Sequence, residues 1–233
     1  MARLTRKELK TDKFALEVEQ TVDFFEEHRK EIIRYGSIAT VVVLIGVAFF
    51  FYQKQQHAAR EEALAQAIQI EQASVGQPTP GGPQTFPTEQ AKDAAAVKAF
   101  SAVAATYSGS DEGLIAEYYL GAIAADQGNL AEAAKRFQKV ADSGNARYAS
   151  LAKLSLGDLY FQDGHAAQGE VLLRSLMDHP TVFVSKEQAT LALARGLAKT
   201  KPEEARKLLA PLRTSRSAVS QAAIQLYSEL FPN

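Results

Sequence analysis

The 233 residues contain no cysteine and no tryptophan. Without thiols, disulfides, zinc–thiolate sites and thiol catalysis are excluded. Histidine occurs four times, at His28, His57, His165 and His179. None has a neighbour at metal-ligand spacing. His165 stands beside Asp163-Gly164 and His179 precedes Pro180, as surface turn residues do. A Gly-rich phosphate loop, a nucleophile elbow and an H-E-x-x-H pair are also missing. The paired acids Glu61-Glu62 and Glu203-Glu204 sit where helices begin and complement the helix dipole. Nothing here predicts an enzyme, a metal site or a cofactor. Nor is there an excess of positive charge: the formal net charge is −1. Nucleic acid, which demands a basic face, is therefore not an expected partner. Strand-forming runs of Val, Ile and Thr are scarce outside one stretch, and Ala is abundant, which predicts an all-α fold.

Long hydrophobic runs are scarce too, and the one that exists is informative. "YGSIATVVVLIGVAFFFY", from Tyr35 to Tyr52, carries no charge over eighteen residues. As a helix it spans roughly 27 Å, close to a bilayer's hydrocarbon core. Tyr35 and Tyr52 bracket it, and Gly36, Val43, Gly46 and Phe50 lie within it. Arg29, Lys30 and Arg34 crowd its N-terminal side, while only Lys54 and Arg60 lie close on the other. This bias predicts a transmembrane helix with the N-terminus in the cytoplasm. A cleaved signal peptide is the main rival, because Ala63-Leu64-Ala65 has the small-x-small form. That triplet lies far beyond the apolar run, and 34 residues precede the run where a short basic segment is usual. A buried core helix is the third reading. The retained anchor is expected.

Residues 1–34 hold eight basic and eight acidic side chains, so they are not a polybasic lipid tag. Phe14, Val18, Val22 and Phe25 share one helix face. An amphipathic cytoplasmic helix is expected there, lying on the membrane or docking a partner. Residues 53–233 are expected to form a repeat domain with a Pro/Gly-rich loop at 75–88. Proline, with only eight copies, places four of them between Ser74 and Gln90. No helix runs through such a segment, and a disordered loop joining two helices is expected. Thr88 is the expected N-cap of the following helix.

The last part of the chain repeats itself. "YYLGAIAADQGNLAEAAKRFQKV", from Tyr118, matches "LSLGDLYFQDGHAAQGEVLLRSL", from Leu154. Leu120-Gly121 matches Leu156-Gly157, Gly128 matches Gly164, Phe137 matches Leu173 and Val140 matches Leu176. The offset is 36 each time. Ala205 and Leu209 continue it in a weaker third copy, and Phe100 precedes Phe137 by 37. A period near 34 in helix–turn–helix units resembles tetratricopeptide repeats. Their Leu-Gly pair falls at Leu120-Gly121 and Leu156-Gly157, an aromatic position at Tyr160, and the later small and aromatic positions at Ala133 and Phe137. Departures are the absent Trp, Gly169 where Ala is usual, and no Leu-Gly pair in the third copy. Hairpins are expected at about 57–107, 112–142, 146–178 and 184–212, with "SAVSQAAIQLYSELF" as a terminal cap.

In layout, an anchor followed by degenerate tetratricopeptide repeats resembles the YfgM-like ancillary subunits of the bacterial Sec translocon. The resemblance implies a periplasmic repeat domain at the inner membrane. It also implies translocon subunits, periplasmic chaperones or exported clients as partners. A scaffold subunit of another envelope assembly machine is the alternative. In such arrays the first helix of each hairpin lines a concave face. Counted by the motif, the partner-facing candidates are Tyr118, Ala122 and Asp126, then Leu154, Asp158, Phe161 and Gln162, then Arg195 after a one-residue shift. Aromatic and charged groups in this mixture suit an extended peptide. The competing reading is that Tyr118 and Phe161 only pack against the next hairpin.

Overall fold

A computed structural model describes residues 29–77, 84–143, 145–215 and 218–231. The expected face of Phe14, Val18, Val22 and Phe25 lies outside them. The chain divides into two compact units, residues 1–58 and 59–233. Helix α1, Arg29–Glu71, contributes residues to both. Its part from Ile33 onward is long and apolar enough to cross a membrane. Tyr35, Gly36, Val43, Gly46, Phe50 and Tyr52 all lie on this helix. Val43, Leu44, Ile45 and Phe50 are 62–65% exposed, which sets aside the core-helix reading. The polar side chains on this stretch are satisfied internally. The Ser37 hydroxyl donates to the Arg34 carbonyl and that of Thr40 to the Gly36 carbonyl, each at 2.8 Å.

After α1 come strands β1 (Ser74–Val75) and β2 (Thr85–Phe86), which pair in parallel. The Gly76 N–H donates to the Phe86 carbonyl at 2.8 Å. Disorder was expected across the Pro-rich segment, and at its two ends that expectation is corrected. Backbone pairing ties Ser74 to Thr85 and Val75 to Phe86, while residues 78–83 of the segment lie outside the described ones.

Helices α2 (Glu89–Thr106), α3 (Asp111–Asp126), α4 (Leu130–Ala141), α5 (Ala146–Gln162) and α6 (Ala166–Asp178) follow. Then come α7 (Lys186–Leu197), α8 (Pro202–Thr214) and α9 (Ser220–Leu230). Polar side chains start most of them by accepting the first free backbone N–H groups. Thr88 accepts from Ala91 N–H, as its position predicts, and Ser110 accepts from Gly113 N–H. Asn129 and Asn145 cap α4 and α5, and Ser185 forms a reciprocal capping box with Gln188. Between α3 and α4, and again between α5 and α6, the chain reverses at Gly128 and Gly164, with φ of 75° and 80°. Only glycine adopts that backbone without steric cost, which is why the pair recurs 36 residues apart.

The period is a packing period. Ala133, Gly169 and Ala205 are buried at equivalent points of α4, α6 and α8. So are Phe137, Leu173 and Leu209, and then Val140, Leu176 and Leu212. One unit earlier, α2 buries Ala96, Phe100 and Val103 with a 37-residue offset. Each second helix thus presents the same three-residue stripe to its neighbours. Leu64 and Ala67, near the end of α1, join the cluster around Phe100 and Leu120. Stacking such units builds a continuous apolar core that no single hairpin could bury.

The Leu-Gly pairs show why two glycines sit in helix interiors, where glycine costs about 1 kcal/mol against alanine. A Cβ on Gly121 would lie 2.9 Å from the Phe137 ring, and one on Gly157 would lie 2.7 Å from Leu173 Cδ2. Leu173 is fully buried. Gly157→Ala is therefore expected to destabilise by about 1–3 kcal/mol despite its better helix propensity. Denaturant midpoints of the two proteins check this. A stabilised variant would contradict the close approach.

One ion cluster ties α3 to α4. Glu117 is buried, and its carboxylate accepts from Arg136 Nη1 at 2.8 Å and from Lys139 Nζ. Arg136 also donates to Glu132 at 2.7 Å. Burial pushes the Glu117 carboxyl up, but Lys139 and Arg136 together outweigh it and hold it below the usual glutamate range. Its stabilising contribution is therefore complete above the ordinary glutamate value and is lost as pH falls through the lowered one. Glu117→Gln is expected to be less stable than the parent at neutral pH. The gap should close as pH drops below about 4. Unfolding midpoints across pH test this, and a gap independent of pH would refute it.

At the far end, α9 is clamped on α8 by guanidinium groups over rings. Arg206 sits 4.4 Å from the centroid of Phe231, and Arg213 sits 3.9 Å from that of Tyr227. This helix covers Leu209 and Leu212 and closes the array.

Candidate partner-binding face

The first helices of successive hairpins, α3, α5 and α7, lie side by side. Tyr118 on α3 reaches α5, where its hydroxyl meets Ser155 Oγ at 3.0 Å. Its ring packs on Phe137, with centroids 5.4 Å apart. With Ile115, Tyr119, Tyr148 and Leu151 it lines an apolar hollow of about 240 Å³ between α3 and α5. The hollow is firmly built. Tyr119 stacks on buried Phe100 at 4.7 Å, and Tyr148 meets Phe183 edge to face at 5.5 Å.

A second opening lies between α5 and α7. Asp158, Phe161, Gln162, Arg195, Gly196 and Lys199 line a cleft of about 520 Å³, with Leu230 of α9 at one side. Phe161 is half-buried because it lies flat on a gap in α7. A Cβ on Gly196 would sit 2.4 Å from its ring. One on Gly169 would sit 2.8 Å from the Gly157 carbonyl oxygen and 2.9 Å from the Phe161 ring. Fixed backbone and the ring together occupy the space where alanine's methyl would stand, which explains Gly169. Asp158 is also half-buried, and among the described residues it makes no hydrogen bond and no ion pair. Burial raises its carboxyl above the usual aspartate range, and the nearby charge of Arg195 offsets this only in part. Arg195 and Gln162 are exposed.

The structure therefore gathers Asp158, Phe161, Gln162 and Arg195 in one cleft and puts Tyr118 in another. Ala122 and Leu154 are half-buried against the neighbouring core clusters. Asp126 is exposed at the end of α3 and lines neither opening. Both aromatic candidates do pack against neighbouring helices, as the competing reading had it, yet each leaves part of its ring on an opening.

Residues 23–207 match the family model of the tetratricopeptide repeat-like domain. The chain belongs to this family. Its domains generally bind proteins and are typically non-catalytic. No curated protein and no solved structure gives a significant match. Within the tetratricopeptide-like frame, the residues that motif counting overlooked include Ile115, Tyr119, Tyr148, Leu151, Lys199 and Leu230. Tyr148 and Leu151 had a signal. With Ser155, Asp158 and Gln162 they recur at i, i+3, i+7, i+10 and i+14, along one face of α5. Leu230 had none, because only the docking of α9 brings it there.

Proposed function

We propose that this chain is a membrane-anchored protein–protein interaction module of a bacterial inner membrane. Its apolar helix spans the bilayer with the N-terminus in the cytoplasm and the repeat domain in the periplasm. There it acts as an adaptor or chaperone-like accessory factor for exported or envelope proteins near the Sec translocon. One observation carries the reading: a single chain combines an exposed, charge-free apolar helix, basic on its N-terminal flank, with a tetratricopeptide-like domain. The mixed aromatic and charged lining of the α5–α7 cleft supports a protein ligand. The YfgM-like layout supports the translocon as the place.

The test is mild crosslinking in cells, detergent extraction and identification of what co-purifies. Translocon subunits or periplasmic chaperones are expected. A stable stoichiometric partner from another envelope machine would favour a scaffold role instead. Recovery of no envelope protein would sink the proposal.

A further inference from the structure

The strip along α5 has two unlike ends. Tyr148 and Leu151 lie at the apolar hollow, and Asp158 lies in the cleft. Ser155, bonded to Tyr118, sits between them on the same face. Seven residues separate Leu151 from Asp158, which along a helix is about 10 Å. A polyproline-II segment covers about 9 Å in three residues and returns every third side chain to the same face. Such an extended segment laid along α5 thus meets both openings with side chains three positions apart.

The charges decide what the second side chain is. Asp158 is half-buried and, among the described residues, makes no hydrogen bond or ion pair, whereas Arg195 is exposed to water. A half-buried carboxylate gains more from a charge-assisted donor than an exposed guanidinium gains from one more anion. We propose that the α5 strip selects extended client segments carrying an apolar residue and, three positions away, a lysine or arginine. The apolar residue fills the Tyr118–Tyr148 hollow and the basic one pairs with Asp158. Arg195 and Lys199 then act against binding, as like charges at the rim that limit affinity for basic segments. This inference rests on the proposed peptide-binding role of the repeat domain and names its ligand class.

The test uses the full chain in detergent and labelled Gly/Ser peptides carrying Leu and Lys three positions apart, read by fluorescence anisotropy. Replacing Lys in the peptide with Glu, or Leu with Ala, is expected to weaken binding about tenfold. Asp158→Asn should remove the preference for Lys over Gln in the peptide. Arg195→Gln, at an exposed position, should tighten the Lys peptide severalfold. Tighter binding of the Glu peptide, or a Lys preference that survives Asp158→Asn, would overturn the inference and assign the cleft to a ligand carboxylate. If the peptides bind without regard to Lys or Glu, the inference fails and the peptide-binding role stands. If no peptide binds, that role fails with it.

Discussion

Leu173→Ala is expected to lower the unfolding free energy by about 2–5 kcal/mol, the range for truncating a fully enclosed leucine. Leu173 is completely buried on α6, and its Cδ2 and Cγ fill the notch left by Gly157 on α5. It also belongs to the cluster that carries Leu193 and Leu197 of α7. The variant thus removes the contact within one hairpin and the contact to the next. The helix backbones on both sides are fixed by their own hydrogen bonds, so the cavity does not collapse easily. In an array whose units contact only their neighbours, the loss also weakens coupling between the halves. Chemical unfolding of the full chain, followed by circular dichroism, gives the number. A loss below about 1 kcal/mol would mean that the site repacks.

The second large effect concerns the proposed membrane span. Val43 and Leu44 lie at the middle of the charge-free stretch and are both exposed. Each arginine placed there costs about 2.5–3.5 kcal/mol of insertion, so Val43→Arg with Leu44→Arg costs about 5–7 kcal/mol. The apolar residues of the run contribute only about 0.3–0.6 kcal/mol each, so two central charges offset most of the segment. The double variant is expected to leave the membrane pellet under alkaline extraction, while the parent stays in it. A parent protein that is extracted as readily as the variant would contradict the spanning role. The repeat domain is expected to remain folded in the variant, because no residue of its core clusters comes from the apolar run.

The repeat architecture was legible because it rests on short-range regularities. Phe137, Leu173 and Leu209 announce it through a fixed offset, and the turn glycines Gly128 and Gly164 through a backbone only they adopt comfortably. Caps such as Thr88 follow from local hydrogen-bond chemistry. The β1–β2 pairing at the base of the Pro-rich loop was not legible. Two dipeptides eleven residues apart carry no periodic signal, and their register is set by tertiary placement. Four of the candidate site residues, Asp158, Phe161, Gln162 and Arg195, share one cleft because motif counting locates the first helix of each hairpin. Counting could not separate residues that line an opening from residues that pack. Ala122 and Leu154 belong to the same motif positions but rest against the core clusters. Leu230 and Lys199 reach the cleft through the docking of α9 and the end of α7, which no local pattern encodes.

The most direct test of the account is photo-crosslinking in cells from two positions of the repeat domain. One probe replaces Gln162, exposed in the cleft, and the other replaces Lys135, exposed on the second helix of its hairpin. The account predicts protein adducts from position 162 in the membrane fraction, with few or none from position 135. Adducts from position 135 alone, or adducts confined to the soluble fraction, would contradict a membrane-held module that binds proteins through its α5–α7 face.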